Sequence, residues 1–163
     1  MRIIQGGLKM RDILFKGKSV NDGRWLLGGL NDYGDYKSIT VTRGFSIIDS
    51  CKVIPETICE YTGLSDKNDV KIFENDIVRY EKKNWVVNWN YETFRWEISL
   101  KDGCYQYPIY DGHGYPKYVD RITLGWVAAE FQLLGQLSVE VIGNKFDNPE
   151  LIERDNNEKD WTF

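Results

Sequence analysis

The sequence predicts a mainly β fold of antiparallel strands followed by one short C-terminal helix, and three observations carry that expectation. Asn21-Asp-Gly23 lies between two runs rich in apolar residues. That is a hairpin signal, because Asn, Asp and Gly tolerate the positive φ of a tight reversal. Trp85, Val87 and Trp89, then Phe94, Trp96 and Ile98, recur at period two, which puts each set on one face of a strand. Short apolar runs punctuated by turn residues continue along the chain, and an aromatic content of 14% suits strands.

Taken in order, Asp12–Lys18 and Arg24–Leu30 are the arms of the first hairpin. Ser38-Ile-Thr-Val-Thr42 follows as an alternating β-branched strand, and Phe45-Ser-Ile-Ile48 supplies another. Pro55 interrupts, Thr57–Tyr61 resumes extended structure, and Ser65–Asp69 is a polar turn. Lys71–Asp76 then leads directly into Ile77–Tyr80. The central pair of strands has Asn90-Tyr-Glu92 as its turn, where facing aromatics stabilise a sheet. From Lys101 to Asp120 the Gly, Tyr, Pro and Asp content predicts a long loop with at most one short strand, and such a loop is usually functional or mobile. Arg121–Leu134 reads as a strand, although Ala128-Ala-Glu130 also permits a helix. Ser138–Ile142 is a strand and Asn144–Asn148 a turn. Pro149 at a first helical position begins a helix running to about Arg154. Residues 155–163 are a polar tail.

Residues 1–9 are expected to be a leader or start-site extension. Gln5-Gly6-Gly7 permits a purine-rich ribosome-binding sequence shortly before the in-frame Met10. An ordinary strand at Met1–Ile4 is the other reading. Residues 10–154 are then expected to form a single domain, with a candidate N-terminal β subregion at 10–54 and a barrel at 55–154.

At 163 residues and 42% hydrophobic content the chain can bury a core. No apolar run approaches the roughly 20 residues that cross a bilayer, and no secretory signal is present, so a protein of the cytoplasm is expected, with no membrane partner. Cys51, Cys59 and Cys104 form no C-x-x-C pair, which indicates neither a disulfide framework nor a zinc knuckle. The one histidine, His113, lies in a Gly-rich segment and cannot alone make the usual metal site. No cofactor is indicated.

Several ordered motifs resemble one family. They are Met10–Lys18, Asn21–Trp25, Pro55–Asn68, Ile72-Phe-Glu-Asn-Asp-Ile-Val78, Glu140-Val-Ile-Gly-Asn144 and Asn148-Pro-Glu-Leu151, and together they look like the YopX family of bacteriophage and prophage proteins. The resemblance implies a small SH3-like β-barrel with additional strands and an origin in a phage or prophage genome, hence the cytoplasm of a bacterial host. It implies no catalytic activity and carries over no active site. Asp69 stands where the family usually has Gly, as does Asn75. At both positions the tolerance of Asn and Asp for left-handed backbone is the expected remedy. Gly63 is expected to take a conformation closed to other residues, Asp66 and Asn68 to bond their own backbone, and Ile72, Phe73, Ile77 and Val78 to fill the core. Asp66, Asp69, Glu74 and Asp76 could instead hold a metal, but their spacing does not match the twelve-residue calcium loop.

Three functions are weighed. A protein-binding or assembly module, acting on a host or phage protein or on copies of itself, suits the acidic charge and the aromatic surplus. Tyr105, Tyr107, Tyr110, Tyr115 and Tyr118 are its candidate contacts, against the plainer reading of a loop folded over the barrel. Nucleic-acid binding is the alternative, through Arg79, Lys82, Lys83 and Trp85, with Trp89, Arg95 and Trp96 nearby. The net charge of −4 opposes it, and the Trp residues can equally be core. An enzyme is the least supported, because no nucleophile elbow, zinc-protease motif, phosphate loop or dinucleotide fingerprint occurs.

Overall fold

The computed structural model describes residues 12–100, 107–110, 116–119, 121–124 and 139–154. The chain divides into two compact units, Met1–Gly63 and Leu64–Phe163.

In the first unit β1 (Phe15–Lys18), β2 (Trp25–Asp32), β3 (Lys37–Arg43), β4 (Ser46–Lys52) and β5 (Cys59–Ser65), whose last two residues are counted with the second unit, lie in the order β4-β3-β2-β1-β5. The first hairpin forms where expected. Lys18 pairs with Trp25 across a turn in which Gly23 has φ 70°, and Asp22 accepts the Arg24 backbone N–H at 3.3 Å. Alternation along β2 sends Leu26 and Leu30 inward to meet Ile39 and Val53, with Phe15, Val41, Cys51 and Ile58 around them. Gly28 lies on the same inward side, where an added Cβ would stand 2.1 Å from the Thr40 carbonyl oxygen. Only a glycine lets β2 and β3 approach so closely.

The strand expected at Phe45–Ile48 starts one residue later and runs on to Lys52. Phe45 belongs instead to the turn, beside Gly44 at φ 59°. Pro55 does break the chain. A single 3₁₀ turn, Pro55–Thr57, replaces strand there, and Thr57 Oγ1 accepts the Lys18 N–H at 2.9 Å while donating to the Ile54 carbonyl at 2.7 Å.

The second unit holds β6 (Lys71–Phe73), β7 (Asp76–Tyr80), β8 (Lys83–Asn90), β9 (Arg95–Ser99), β10 (Tyr107–Tyr110), β11 (Pro116–Val119), β12 (Arg121–Thr123), β13 (Glu140–Asn144) and the helix α1 (Glu150–Arg154). An antiparallel sheet runs β12-β9-β8-β7-β13, and β10 pairs with β11 separately. The run read as continuous from Lys71 to Tyr80 is two strands, because Glu74-Asn75 turn the chain and Asn75 takes φ 65°. The loop expected over Lys101–Asp120 contains a pair of strands, with Tyr107 opposite Val119 and Tyr110 opposite Pro116. Strand is found at Arg121–Thr123, and residues 125–134 lie outside the described ones.

The core of this unit is Ile72, Val78, Tyr80, Trp85, Val87, Ile98, Leu124 and Val139. Val87 faces Ile98 and Trp89 faces Trp96, the latter rings meeting edge-on at 5.1 Å between centroids. Phe94 leaves the face expected for it. It sits in the β8–β9 turn at φ 51° and is 75% exposed. Helix α1 is tied to β8 by Asn84 Nδ2, which donates to the Leu151 carbonyl at 2.8 Å. The mainly β expectation therefore holds. Among the described residues no barrel closes.

Candidate functional site

The acidic turns that carry the family motifs are structural. Asp66 is buried, and its Oδ1 accepts the N–H groups of Asn68 at 2.7 Å and Val70 at 2.9 Å. Its Oδ2 reaches the Val141 N–H at 2.9 Å and so fastens the turn to β13. Asp76, also buried, accepts the Phe73 N–H at 2.8 Å and closes the β6–β7 turn. Buried carboxylates need such partners, because an unmet charge would cost several kcal/mol. Asp69 and Asn75 have φ 62° and 65°, the left-handed conformation expected where the family has Gly, and Gly63 has φ 87°. Among the described residues no group of three or more potential ligands could hold a metal ion.

The second motif-bearing run, Glu140–Leu151, is explained in the same way. An added Cβ on Gly143 would stand 2.5 Å from Asn148 Oδ1. Asn144 Oδ1 accepts the N–H groups of both Phe146 and Asp147 at 3.0 Å, which turns the chain toward α1.

Of the residues proposed to touch nucleic acid, Arg79, Lys82 and Lys83 gather around the β7–β8 turn, where Arg79 Nε donates to Asn84 Oδ1 at 3.4 Å. Trp85 does not join them as a contact. It is 0% exposed, and its Nε1 donates to the Tyr80 carbonyl at 3.0 Å, so the ring is core and cannot stack on a base. Trp96 is half-buried, and its Nε1 is the buried side-chain atom without a hydrogen-bond partner among the described residues. Of the tyrosines proposed as protein contacts, Tyr105 and Tyr115 lie outside the described residues. Tyr107, Tyr110 and Tyr118 fall within the paired strands β10 and β11.

The exposed apolar residues lie elsewhere. At the end of the β3–β4 hairpin Phe45 is 111% exposed, Ile47 69% and Ile48 55%. Strand β4 ends the sheet order, and the pairing of β3 with β4 shifts register between Val41 and Thr42. Sequence reading found the strand but not its exposure, because the order Phe45, Ile47, Ile48 does not by itself reveal that all three side chains stand exposed among the described residues. The β8–β9 turn presents a second, smaller apolar pair, Tyr91 and Phe94.

Between β2 and β4, Arg24 donates to Asp22 at 2.9 Å and to Asp49 at 2.6 Å. The Arg24 hydrogen bond holds the Asp49 carboxyl below its ordinary value. The Cys51 thiol donates to Asp49 at 3.3 Å, and that bond raises its pKa, so Cys51 is no activated nucleophile. Among the described residues no helix is long and apolar enough to cross a membrane.

No curated protein matches the chain. The family motifs recognised in the sequence occupy the turns and strands just described, and the family described as YopX protein matches residues 28–153. The chain belongs to the YopX family.

Proposed function

We propose that this chain is a protein-binding or assembly module of a phage or prophage, acting in the cytoplasm of its bacterial host and without enzymatic chemistry of its own. The observation that carries the reading is the β3–β4 hairpin end, where Phe45 in the turn and Ile47 and Ile48 on the terminal strand of the first unit's sheet are exposed. Apolar side chains grouped at a sheet edge favour contact with another protein, through side-chain burial and through the strand's outward N–H and C=O groups. The occupant is a host or phage protein offering an apolar surface. A second copy of the chain is the competing occupant.

The test is capture from nuclease-treated host lysate by the tagged chain beginning at Met10, in parallel with a Phe45→Ser/Ile47→Ser variant. The expected result is a stoichiometric protein retained by the parent and lost by the variant. Equal recovery by both overturns the assignment to this hairpin. Light scattering on the pure protein separates the competing occupant, since a dimer that the double substitution dissociates identifies a second copy.

The SH3-like barrel belongs to the same proposal for the second unit. Its support is the order β12-β9-β8-β7-β13, in which neighbours pair antiparallel. Cross-strand NMR contacts between β12 and β13 are the expected sign of closure, and their absence leaves an open sheet.

A further inference from the structure

The β8–β9 turn of the second unit is a surface that the β3–β4 hairpin contact does not use. At its tip Tyr91 is 77% exposed and Phe94 75%. Glu92 and Arg95 stand beside them, also exposed, and neither forms an ion pair among the described residues.

The polar residues of the turn fix its shape. Asn90 Oδ1 accepts the N–H groups of Glu92 at 2.8 Å and Thr93 at 3.1 Å, a bonding pattern that suits Asn to turns. Asn90 Nδ2 donates to Glu97 Oε2 at 2.9 Å, and Thr93 Oγ1 donates to Glu97 Oε1 at 3.2 Å. Glu97 is buried on β9, so two points of the turn are tied to one carboxylate held in the sheet. Phe94 takes φ 51° in this frame, a left-handed backbone that favours glycine and that a bulky aromatic residue adopts at a cost. Burial does not offset the cost, because most of the residue lies in solvent. The arrangement suits a contact instead, since a ring displayed on a turn that is already ordered has less freedom to lose on binding.

We propose that this tip inserts into an apolar cleft of a partner protein, with Phe94 and Tyr91 as its anchors. Charge and area select that occupant. One acidic and one basic side chain flank the rings, so the tip offers no net charge to a polyanion such as nucleic acid or an anionic membrane. A cleft with a cation and a carboxylate at its rim meets Glu92 and Arg95 in turn. Two copies meeting tip to tip bury about 600–1,000 Å² through four rings, at about 150–250 Å² each. That is short of the roughly 1,200 Å² of a stable interface, whereas a concave partner also covers the flanks of the turn. The chain then holds one partner at the β3–β4 hairpin and another at this tip, and the second contact does not rest on the first.

The experiment places a photo-crosslinker at the tip of the full chain, Tyr91→p-benzoylphenylalanine, and irradiates it in nuclease-treated host lysate. One crosslinked protein is expected, to be identified by mass spectrometry, purified and titrated against the parent chain. Phe94→Gly is expected to weaken that binding roughly thirtyfold or more, as the loss of an interface anchor does. The same substitution is expected to raise the melting temperature by about 2–4 °C, because glycine takes the left-handed backbone freely. Lost binding is then not lost folding. Phe45→Ser/Ile47→Ser is expected to leave this titration unchanged, so the two surfaces fail separately. Binding by Phe94→Gly equal to that of the parent overturns the proposal, and so does a lowered melting temperature, which would make the ring part of the fold. It is also overturned by no crosslink, by a crosslink only to a second copy of the chain, or by sedimentation with phosphatidylcholine vesicles that Phe94→Gly abolishes.

Discussion

Among the described residues, eight buried hydrophobic side chains of the second unit form one cluster around Trp85, whereas the first unit gathers Leu26, Ile39 and Val53 and leaves Phe45, Ile47 and Ile48 exposed. Their turns differ as well. Buried carboxylates hold the second unit's turns through backbone N–H groups, at Asp66 and Asp76. Exposed ion pairs decorate the first, Arg24 with Asp22 and Asp49, and Lys37 with Asp32. Removing apolar surface from water is what stabilises a fold, and a screened surface pair adds little. Among the described residues the second unit therefore has the larger buried cluster, and the first exposes more apolar side chains at one hairpin end.

The largest effect that tests this contrast is a pair of alanine substitutions. Trp85→Ala is expected to lose about 3–5 kcal/mol of stability, since a fully buried ring leaves a cavity. Phe45→Ala is expected to change stability by no more than about 0.5 kcal/mol, because a residue with no buried surface has little to lose. Urea unfolding of both variants reads the difference, and comparable losses would break this contrast in burial.

A smaller effect is expected at the β7–β8 turn. Glu81 and Lys82 have φ 49° and 63°, so a two-residue turn with both central residues left-handed is made here without Asn or Gly. Glu81→Asn/Lys82→Gly is expected to stabilise the chain by about 1 kcal/mol. A loss in a thermal melt would show that these two side chains make contacts that outweigh their backbone strain.

The smallest effect concerns the first unit's ion pairs. Arg24 lowers the Asp49 pKa from its ordinary 3.8, so Asp49 contributes stability above that value and loses it as pH falls through the lowered folded value. Arg24→Gln is expected to lower the melting temperature slightly at neutral pH and low salt. The difference is expected to vanish in high salt, or well below pH 3.8. A difference that persists in strong acid would show that Arg24 acts through packing rather than charge.

Much of the local structure was legible because it is written in short-range chemistry. Asn21-Asp-Gly23 turned as its residues demand, Asp69 and Asn75 took the left-handed conformation expected of them, and Ile72, Phe73, Ile77 and Val78 entered the core. The errors fall where distance decides. The Glu74-Asn75 reversal was missed between Lys71 and Tyr80 because Asp76 closes it by accepting the Phe73 N–H, a side-chain bond that no Gly announces. The strands β10 and β11 were hidden because Tyr, Pro and Gly suit loops and hairpins alike.

The sequence by itself determined the family, the mainly β class, and the turns whose residues tolerate positive φ, since each depends on residue type and near-neighbour spacing. Tertiary structure alone decided that Trp85 is core, that Phe45, Ile47 and Ile48 are not, and that Phe94 leaves its expected face for an exposed turn. Alternation tells which residues share a face, but whether that face is covered depends on what the rest of the chain brings against it.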